Sequence, residues 1–190
     1  PFYIKSNTKA LIVGPGGGSD VVRALLFNNT IVGVEINEII VNDIMKKRLL
    51  NFSGGLYLRD DVDIVVDEAR SYIRRSNEKY GIIQMNSIDT FAATAAGAFT
   101  ATENYLYTTE AFTDFLNHLE DDGIITITRW EFTRPQETIR LVAIAVDALE
   151  HAQLDPEKNI LIVKQKMPEI ERRSPIDSRA NLMIKRTPFT

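Results

Sequence analysis

The sequence predicts an α/β fold: a seven-stranded, mostly parallel sheet with a late antiparallel strand and helices on both faces. Three observations predict it. Short β-branched runs alternate with longer stretches of helical period along most of the 190 residues. The first run ends in a glycine-rich turn that leads directly into a helical pattern. The last two strand-like runs have no helical stretch between them, so the final strand cannot return as a parallel neighbour by the usual helical crossover.

Each element follows from local pattern. "ALIVG" (10–14) is the first strand, and "SDVVRALLFN" (19–28) places Val21, Val22, Leu25 and Leu26 at helical spacing. "TIVGVEI" (30–36) is the second strand, with Glu35 near its end. "NEIIVNDIMKKRL" (37–49) is a helix with Asn37 as N-cap and Lys46, Lys47 and Arg48 in its last turn, where cations suit the dipole. "VDIVVD" (62–67) is the third strand, and "EARSYIRRSNEK" (68–79) a helix with Tyr72 and Ile73 facing inward. "YGIIQMN" (80–86) is the fourth strand, followed by a long stretch of small and polar residues at 87–104. "YTTEAFTDFLNHL" (107–119) is a helix and "GIITITRW" (123–130) the fifth strand. "RPQETIRLVAIAVDALEHA" (134–152) is a helix whose Pro135 suits a first turn. "NILIVKQ" (159–165) and "ANLMIKRT" (180–187) are the closing strands. The polar link between them, 166–179, holds two prolines.

Composition bounds the function. Apolar residues make up 44% and charged residues 25%, a globular balance. The formal net charge of -4 argues against a nucleic-acid partner, which usually meets a basic patch. The absence of cysteine excludes disulfides and thiol catalysis, and two histidines are too few for a His-rich metal site. No apolar run is long enough to span a bilayer. This domain is therefore expected to lie outside a membrane and in the cytoplasm, as a soluble enzyme or as the soluble part of a membrane protein. The chain starts at Pro1 and not at methionine, so residues 1–190 are expected to be a single domain cut from a longer protein.

The glycine loop is the most informative stretch. Gly14, Gly16, Gly17 and Gly18 surround Pro15 at the end of the first strand. In open α/β sheets, ligands bind outside the carboxyl ends of strands, and glycine lets a ligand touch the backbone there. A pyrophosphate-binding turn needs G-x-G-x-x-G. Here the third position is Ser19, and Asp20 adds a carboxylate that repels phosphate but suits an ammonium group. Glu35, at the end of strand two, has two oxygens that can accept from both hydroxyls of a ribose; it is also readable as an ordinary exposed acid. Asp67, at the end of strand three, can accept from an adenine amino group or cap the helix that follows.

Together these residues resemble the successive motifs of class I S-adenosylmethionine-dependent methyltransferases, whose Rossmann-like sheet has the same plan. "GPGGGSDV", "GVEIN", "DEARSYIRRS" and "TENYLYTTEAFTDFLNHLEDDGIITITRW" are most similar to the spermidine synthase-like branch, and the likeness covers nearly the whole chain. It implies that the backbone of Gly14, Gly16 and Gly18 runs beside the amino-acid part of S-adenosylmethionine, with Asp20 near its ammonium. It implies that Glu35, with Ile36 beside it, holds the ribose, and that Asp67 and Glu68 frame the adenine. "MNSIDT" falls where aminopropyltransferases carry a D-S-x-D-P-like motif. Asn86 replaces the first aspartate, Asp89 matches the second, and Thr90 replaces the proline. An amide cannot serve as a general base, although Asn86 can accept a hydrogen bond from an ammonium.

Asp89 is then the candidate for acceptor contact or proton removal, or else a turn cap. Glu103 and Tyr105 are candidate acceptor contacts on a stretch, Thr90 to Tyr107, that reads as a lid or as a helix packing aromatics into the core. Trp130 is either a core anchor or a cation–π partner for a sulfonium. The expected activity is methyl transfer from S-adenosylmethionine to a small-molecule acceptor. The alternatives are aminopropyl transfer from decarboxylated S-adenosylmethionine, or a catalytically degenerate cofactor-binding domain. No metal is needed, and a homodimer is left open.

Overall fold

The structure is a computed structural model, and it describes residues 1–86, 105–132, 136–166 and 176–189. One seven-stranded sheet organises them, in the order β3-β2-β1-β4-β5-β7-β6. The strands are β1 (Lys9–Val13), β2 (Thr30–Glu35), β3 (Val62–Val66), β4 (Tyr80–Asn86), β5 (Leu119–Phe132), β6 (Ile160–Lys166) and β7 (Ile176–Lys185). β1 to β5 pair in parallel, whereas β7 runs antiparallel to both β5 and β6. The expected fold class is thus observed, late antiparallel strand included. The chain moves outward from β1 to β3, then crosses back to β4 on the other side of β1. That reversal opens a crevice beyond the carboxyl ends of β1 and β4.

Two apolar layers hold the sheet. One face carries Leu11, Val13, Ile83, Met85, Ile125 and Ile127 against α2 (Ala69–Arg75), α3 (Thr109–Asn117) and α4 (Gln136–His151). The other face carries Ala10, Ile12, Ile31 and Ile82 against Val21 and Ala24 of α1 (Ser19–Leu25) and against Val41 and Met45. The alternation along β1, Leu11 and Val13 one way, Ala10 and Ile12 the other, is the period-2 pattern of a strand buried on both sides.

Several elements differ from their expected form. The helix after β2 is π-helical over Ile40–Arg48, and the Leu49 N–H donates to the Ile44 carbonyl five residues back, at 2.7 Å. Asn37 still caps this segment, its Oδ1 accepting from the Ile39 N–H at 3.1 Å. A 3₁₀ turn at Leu56–Leu58 and a short helix α5 (Pro156–Asn159) were not expected. α5 has a readable signal, since Asp155 caps it and Pro156 opens it. β5 begins earlier than expected, at Leu119. Its register against β4 shifts between the pairs Tyr80↔Leu119 and Ile82↔Ile124. Gly123 sits at this bulge, where a Cβ would lie 2.8 Å from the Tyr80 carbonyl.

Candidate active site

The glycine loop is built by positive φ at alternate positions. Gly14, Gly16 and Gly18 adopt φ of 64°, 51° and 83°. These are left-handed conformations that L side chains rarely take, so the G-x-G-x-G spacing is the backbone's own requirement. The Gly18 N–H closes the turn on the Pro15 carbonyl at 2.8 Å. Gly18 also allows a close approach: a Cβ there would lie 2.5 Å from Leu56 Cδ2. Gly18 therefore faces protein packing, whereas a Cβ on Gly16 would meet only the Gly14 carbonyl, at 3.9 Å.

Glu35 is 6% exposed and reaches across to this loop. Its Oε2 accepts from the Gly16 N–H at 3.1 Å, and its Oε1 accepts from the Asn37 N–H at 3.0 Å. Each carboxylate oxygen has further capacity to accept, so the same side chain can shape the loop and meet a diol. Ile36, next in sequence, is exposed beyond the strand end. Tyr57 completes the group: its hydroxyl donates to the Gly16 carbonyl at 2.7 Å. Burial, aided by the Glu35 charge, pushes its phenol pKa well above the ordinary value, so it stays a donor. Tyr57 was missed in the sequence, where Gly54-Gly55 marked only a loop; the apolar triplet "LYL" directly after that pair is the signal it offered.

The two acids after β3 divide their work differently from the sequence expectation. Glu68, not Asp67, caps α2, its oxygens accepting from the N–H groups of Arg70 and Ser71 at 2.9 and 2.8 Å. Asp67 Oδ1 accepts from the Glu68 N–H at 2.8 Å, and Asp67 Oδ2 pairs with Arg75. Asp67 is placed at the site's edge because its own N–H donates to the Glu35 carbonyl at 3.2 Å. Asp20 lies in the first turn of α1 and is engaged by Arg23 at 3.3 Å.

Asn86 ends β4. Pairing of β1 with β4 runs through Val13↔Met85, so Asn86 stands one step beyond, beside the glycine loop. Its Oδ1 is buried and has no hydrogen-bond partner among the described residues. Asp89 and Glu103 fall outside the described residues. Tyr105 is 57% exposed at the start of the segment leading to α3. Trp130 is half-buried, and the Arg179 guanidinium covers its ring at 4.3 Å from the centroid. The structure thus brings Gly14, Gly16, Glu35, Ile36 and Asn86 to one edge of the sheet, with Asp67 beside them.

This arrangement has relatives. A family model described as the spermine/spermidine synthase domain matches residues 2–168. The chain belongs to the spermine/spermidine synthase domain family. A polyamine aminopropyltransferase of Thermoplasma volcanium is 29% identical over 128 residues, which are 66% of this chain and 43% of that protein. One from Buchnera aphidicola subsp. Acyrthosiphon pisum is 25% identical over 126 residues, 65% of this chain and 41% of its own length. The chain therefore spans less than half the length of the curated relatives it matches. Among solved structures, spermidine synthase from Thermotoga maritima superposes with a TM-score of 0.69 at 16% identity, covering 100% of this chain and 57% of that one. A spermidine synthase in complex with the transition-state analogue AdoDATO gives 0.70 at 15% identity, covering 100% and 58%. An rRNA methylase from Streptococcus thermophilus shares the fold at 0.55 and 13% identity, covering 97% and 90%.

These findings correct the expected activity. Methyl transfer to an unknown acceptor was the first expectation, yet the family is that of the spermine/spermidine synthase domain and the curated relatives are named polyamine aminopropyltransferases. The error has a physical source. The glycine loop, Glu35 and Asp67 are features suited to an adenosyl sulfonium, and both chemistries use one, so those residues do not discriminate between them. The likeness to the spermidine synthase-like branch holds, but Asn86, where the aminopropyltransferase motif has aspartate, turned the expected chemistry toward methyl transfer.

Proposed function

We propose that this chain transfers an aminopropyl group from decarboxylated S-adenosylmethionine to a primary amine of a polyamine acceptor. The observation that carries the reading is the match to the spermine/spermidine synthase domain over residues 2–168, with Glu35 fixed against the Gly16 N–H supporting the adenosyl site that such a donor needs. Residues 1–190 serve in this reading as a single donor-binding domain.

Glu35, with Ile36 alongside, takes the donor's ribose hydroxyls. Asp67 and Glu68 border its adenine. Gly14, Gly16 and Gly18 shape the wall that the donor chain follows. Asp20 and Asn86 are assigned in this reading to its amine, and Asp89, Glu103 and Tyr105 to acceptor contact. The acceptor nitrogen attacks the methylene carbon next to the sulfonium. A C–N bond forms, the C–S bond breaks, and its electron pair neutralises sulfur to leave 5′-methylthioadenosine. The new ammonium then loses a proton. Such a displacement depends on alignment and exclusion of water, so it needs neither a metal nor a nucleophilic side chain.

The test is a turnover assay with purified protein, decarboxylated S-adenosylmethionine and a panel of diamines. Formation of 5′-methylthioadenosine and of an acceptor heavier by one aminopropyl group, read by mass spectrometry, is expected. Binding of the donor without release of 5′-methylthioadenosine from any diamine would refute the reading.

A further inference from the structure

The interior of β4 holds a residue that packing does not explain. Gln84 is 2% exposed in a strand whose neighbours Ile82, Ile83 and Met85 are fully buried and apolar. Its Oε1 is buried without a hydrogen-bond partner among the described residues, and so is the Oδ1 of Asn86 two residues on. Residues two apart on a strand face the same way, so both carbonyl oxygens belong to one side of the sheet, at and below the crevice. The other buried side-chain atoms without partners among the described residues include the hydroxyls of Thr138 and Thr187. A hydroxyl can rotate to donate; an amide oxygen can only accept. Gln84 and Asn86 thus present two acceptors to which no described residue donates.

The adjoining strands do not supply them. Thr126, opposite Gln84 in register, exchanges hydrogen bonds with Asn181 at 3.2 and 2.8 Å. The Asn181 amide also donates to Thr128 Oγ1 at 2.8 Å. This neighbouring ladder satisfies itself across β5 and β7 and leaves the β4 amides out.

We propose that Gln84 is a specificity-determining residue, its carbonyl oxygen acting with that of Asn86 to receive the N–H groups of a primary aliphatic amine. The proposal rests on the transferase reading above, in which both donor and acceptor carry such an amine. A primary ammonium has three N–H groups on one nitrogen, which suits two acceptors spaced along one strand face. Neutral amides hold the amine without adding a carboxylate pair, and they leave the selection between chain lengths to reach.

The experiment is calorimetric titration of wild type, Gln84→Met and Gln84→Glu with three probes: 5′-methylthioadenosine, decarboxylated S-adenosylmethionine, and putrescine added to protein saturated with 5′-methylthioadenosine. The first probe lacks the amine and should bind wild type and Gln84→Met alike. Gln84→Met should weaken at least one amine-bearing probe about tenfold, the loss of a hydrogen bond to a charged group, and Gln84→Glu should retain it. Loss confined to the donor assigns the site to the donor amine; loss confined to putrescine assigns it to the acceptor. Unchanged affinity for both amines in Gln84→Met overturns the inference, and so does equal weakening of 5′-methylthioadenosine. Failure of wild type to bind 5′-methylthioadenosine would instead count against the adenosine site and the transferase reading. Gln84→Met should keep its thermal midpoint, because it removes a buried acceptor; a lower midpoint with intact amine affinity would make Gln84 structural only.

Discussion

Glu35 serves the loop and, in the proposed reading, the ligand, and substitution can separate the two duties. Glu35→Gln keeps the size of the side chain but sets an NH2 group against one of the two backbone N–H groups that the carboxylate accepts. Affinity for 5′-methylthioadenosine should fall by about 1–3 kcal/mol, the scale of hydrogen bonds to a charged group. Calorimetry gives the affinity and a melting curve gives the stability. A lower melting point with unchanged affinity would leave Glu35 as a loop brace alone. Asn86 invites the opposite substitution. An amide takes no proton, so Asn86→Asp should add a base and raise turnover below the acceptor amine's own pKa by about 10²-fold, the low end for general-base catalysis. A pH–rate profile that does not move would place proton removal elsewhere, with Asp89 the next candidate. At this scale the sequence was partly legible. The glycines were readable because each is a residue type demanded by its own φ value, whereas the burial of Glu35 against Gly16, 19 residues back, was not. Tyr57 and Glu68 were not: the Tyr57 partnership with Gly16 depends on how the segment after the π-helix folds back, and the choice of cap between Asp67 and Glu68 depends on one residue of helix start.

Among the elements, the loop and the segment that supports it form one packed unit. Gly18→Ala would force a Cβ to 2.5 Å from Leu56 Cδ2 at a φ of 83°. The left-handed backbone alone costs about 1–2 kcal/mol, and the overlap adds to it. Chemical denaturation should show the full loss, and Leu56→Ala in the same chain should recover the overlap part only. Additive losses from the two substitutions would mean that the contact does not form. A second latch lies at the other end of the sheet, where Lys5 pairs with Asp122 and Glu120, and Glu120 also accepts from Thr8 Oγ1. The Lys5 hydrogen bond depresses the Asp122 pKa. Burial works to lower that of Lys5, but Asp122 and Glu120 outweigh it and raise the value. The Asp122 contribution is present above its unfolded-state pKa and is lost as pH falls through the folded value. The Lys5 contribution is complete below its unfolded-state pKa and is lost as pH rises through the folded value. The latch is therefore intact across the neutral range. Asp122 is 62% exposed, so screening by water and salt should hold its worth below about 1 kcal/mol. Asp122→Asn should flatten the acid side of the stability curve by that amount, as read from melting points between pH 7 and pH 3. The element boundaries that the sequence misplaced share a cause. The early start of β5 and the π-helix are both set by partners, the register shift against β4 and the packing of Met45 and Leu56 under Gly18, and a single run of residues does not contain its partner.

For the whole molecule, the order of strands decides what a ligand can do. The alternation of runs was enough to read the parallel sheet and its antiparallel end, because crossover length follows from chain direction. It did not separate two chemistries that share one cradle. The site draws Glu35 from β2, the glycine loop from the end of β1 and Asn86 from β4, so its groups come from both sides of β1. A donor that touches them all ties the β1–β3 half of the sheet to the β4–β7 half. Trp130, the chain's single tryptophan, reports on β5 in the second half, while far-UV circular dichroism reports on the whole. If residues 1–190 are one cooperative domain, urea unfolding followed by the two signals should coincide. Saturation with 5′-methylthioadenosine at 100 times its dissociation constant should then shift both by the same amount, about 2.7 kcal/mol of added stability. A tryptophan transition that stays in place while the dichroism moves would show that the strands beyond β4 unfold apart from the ligand site. The chain would then be two stability units that share a sheet.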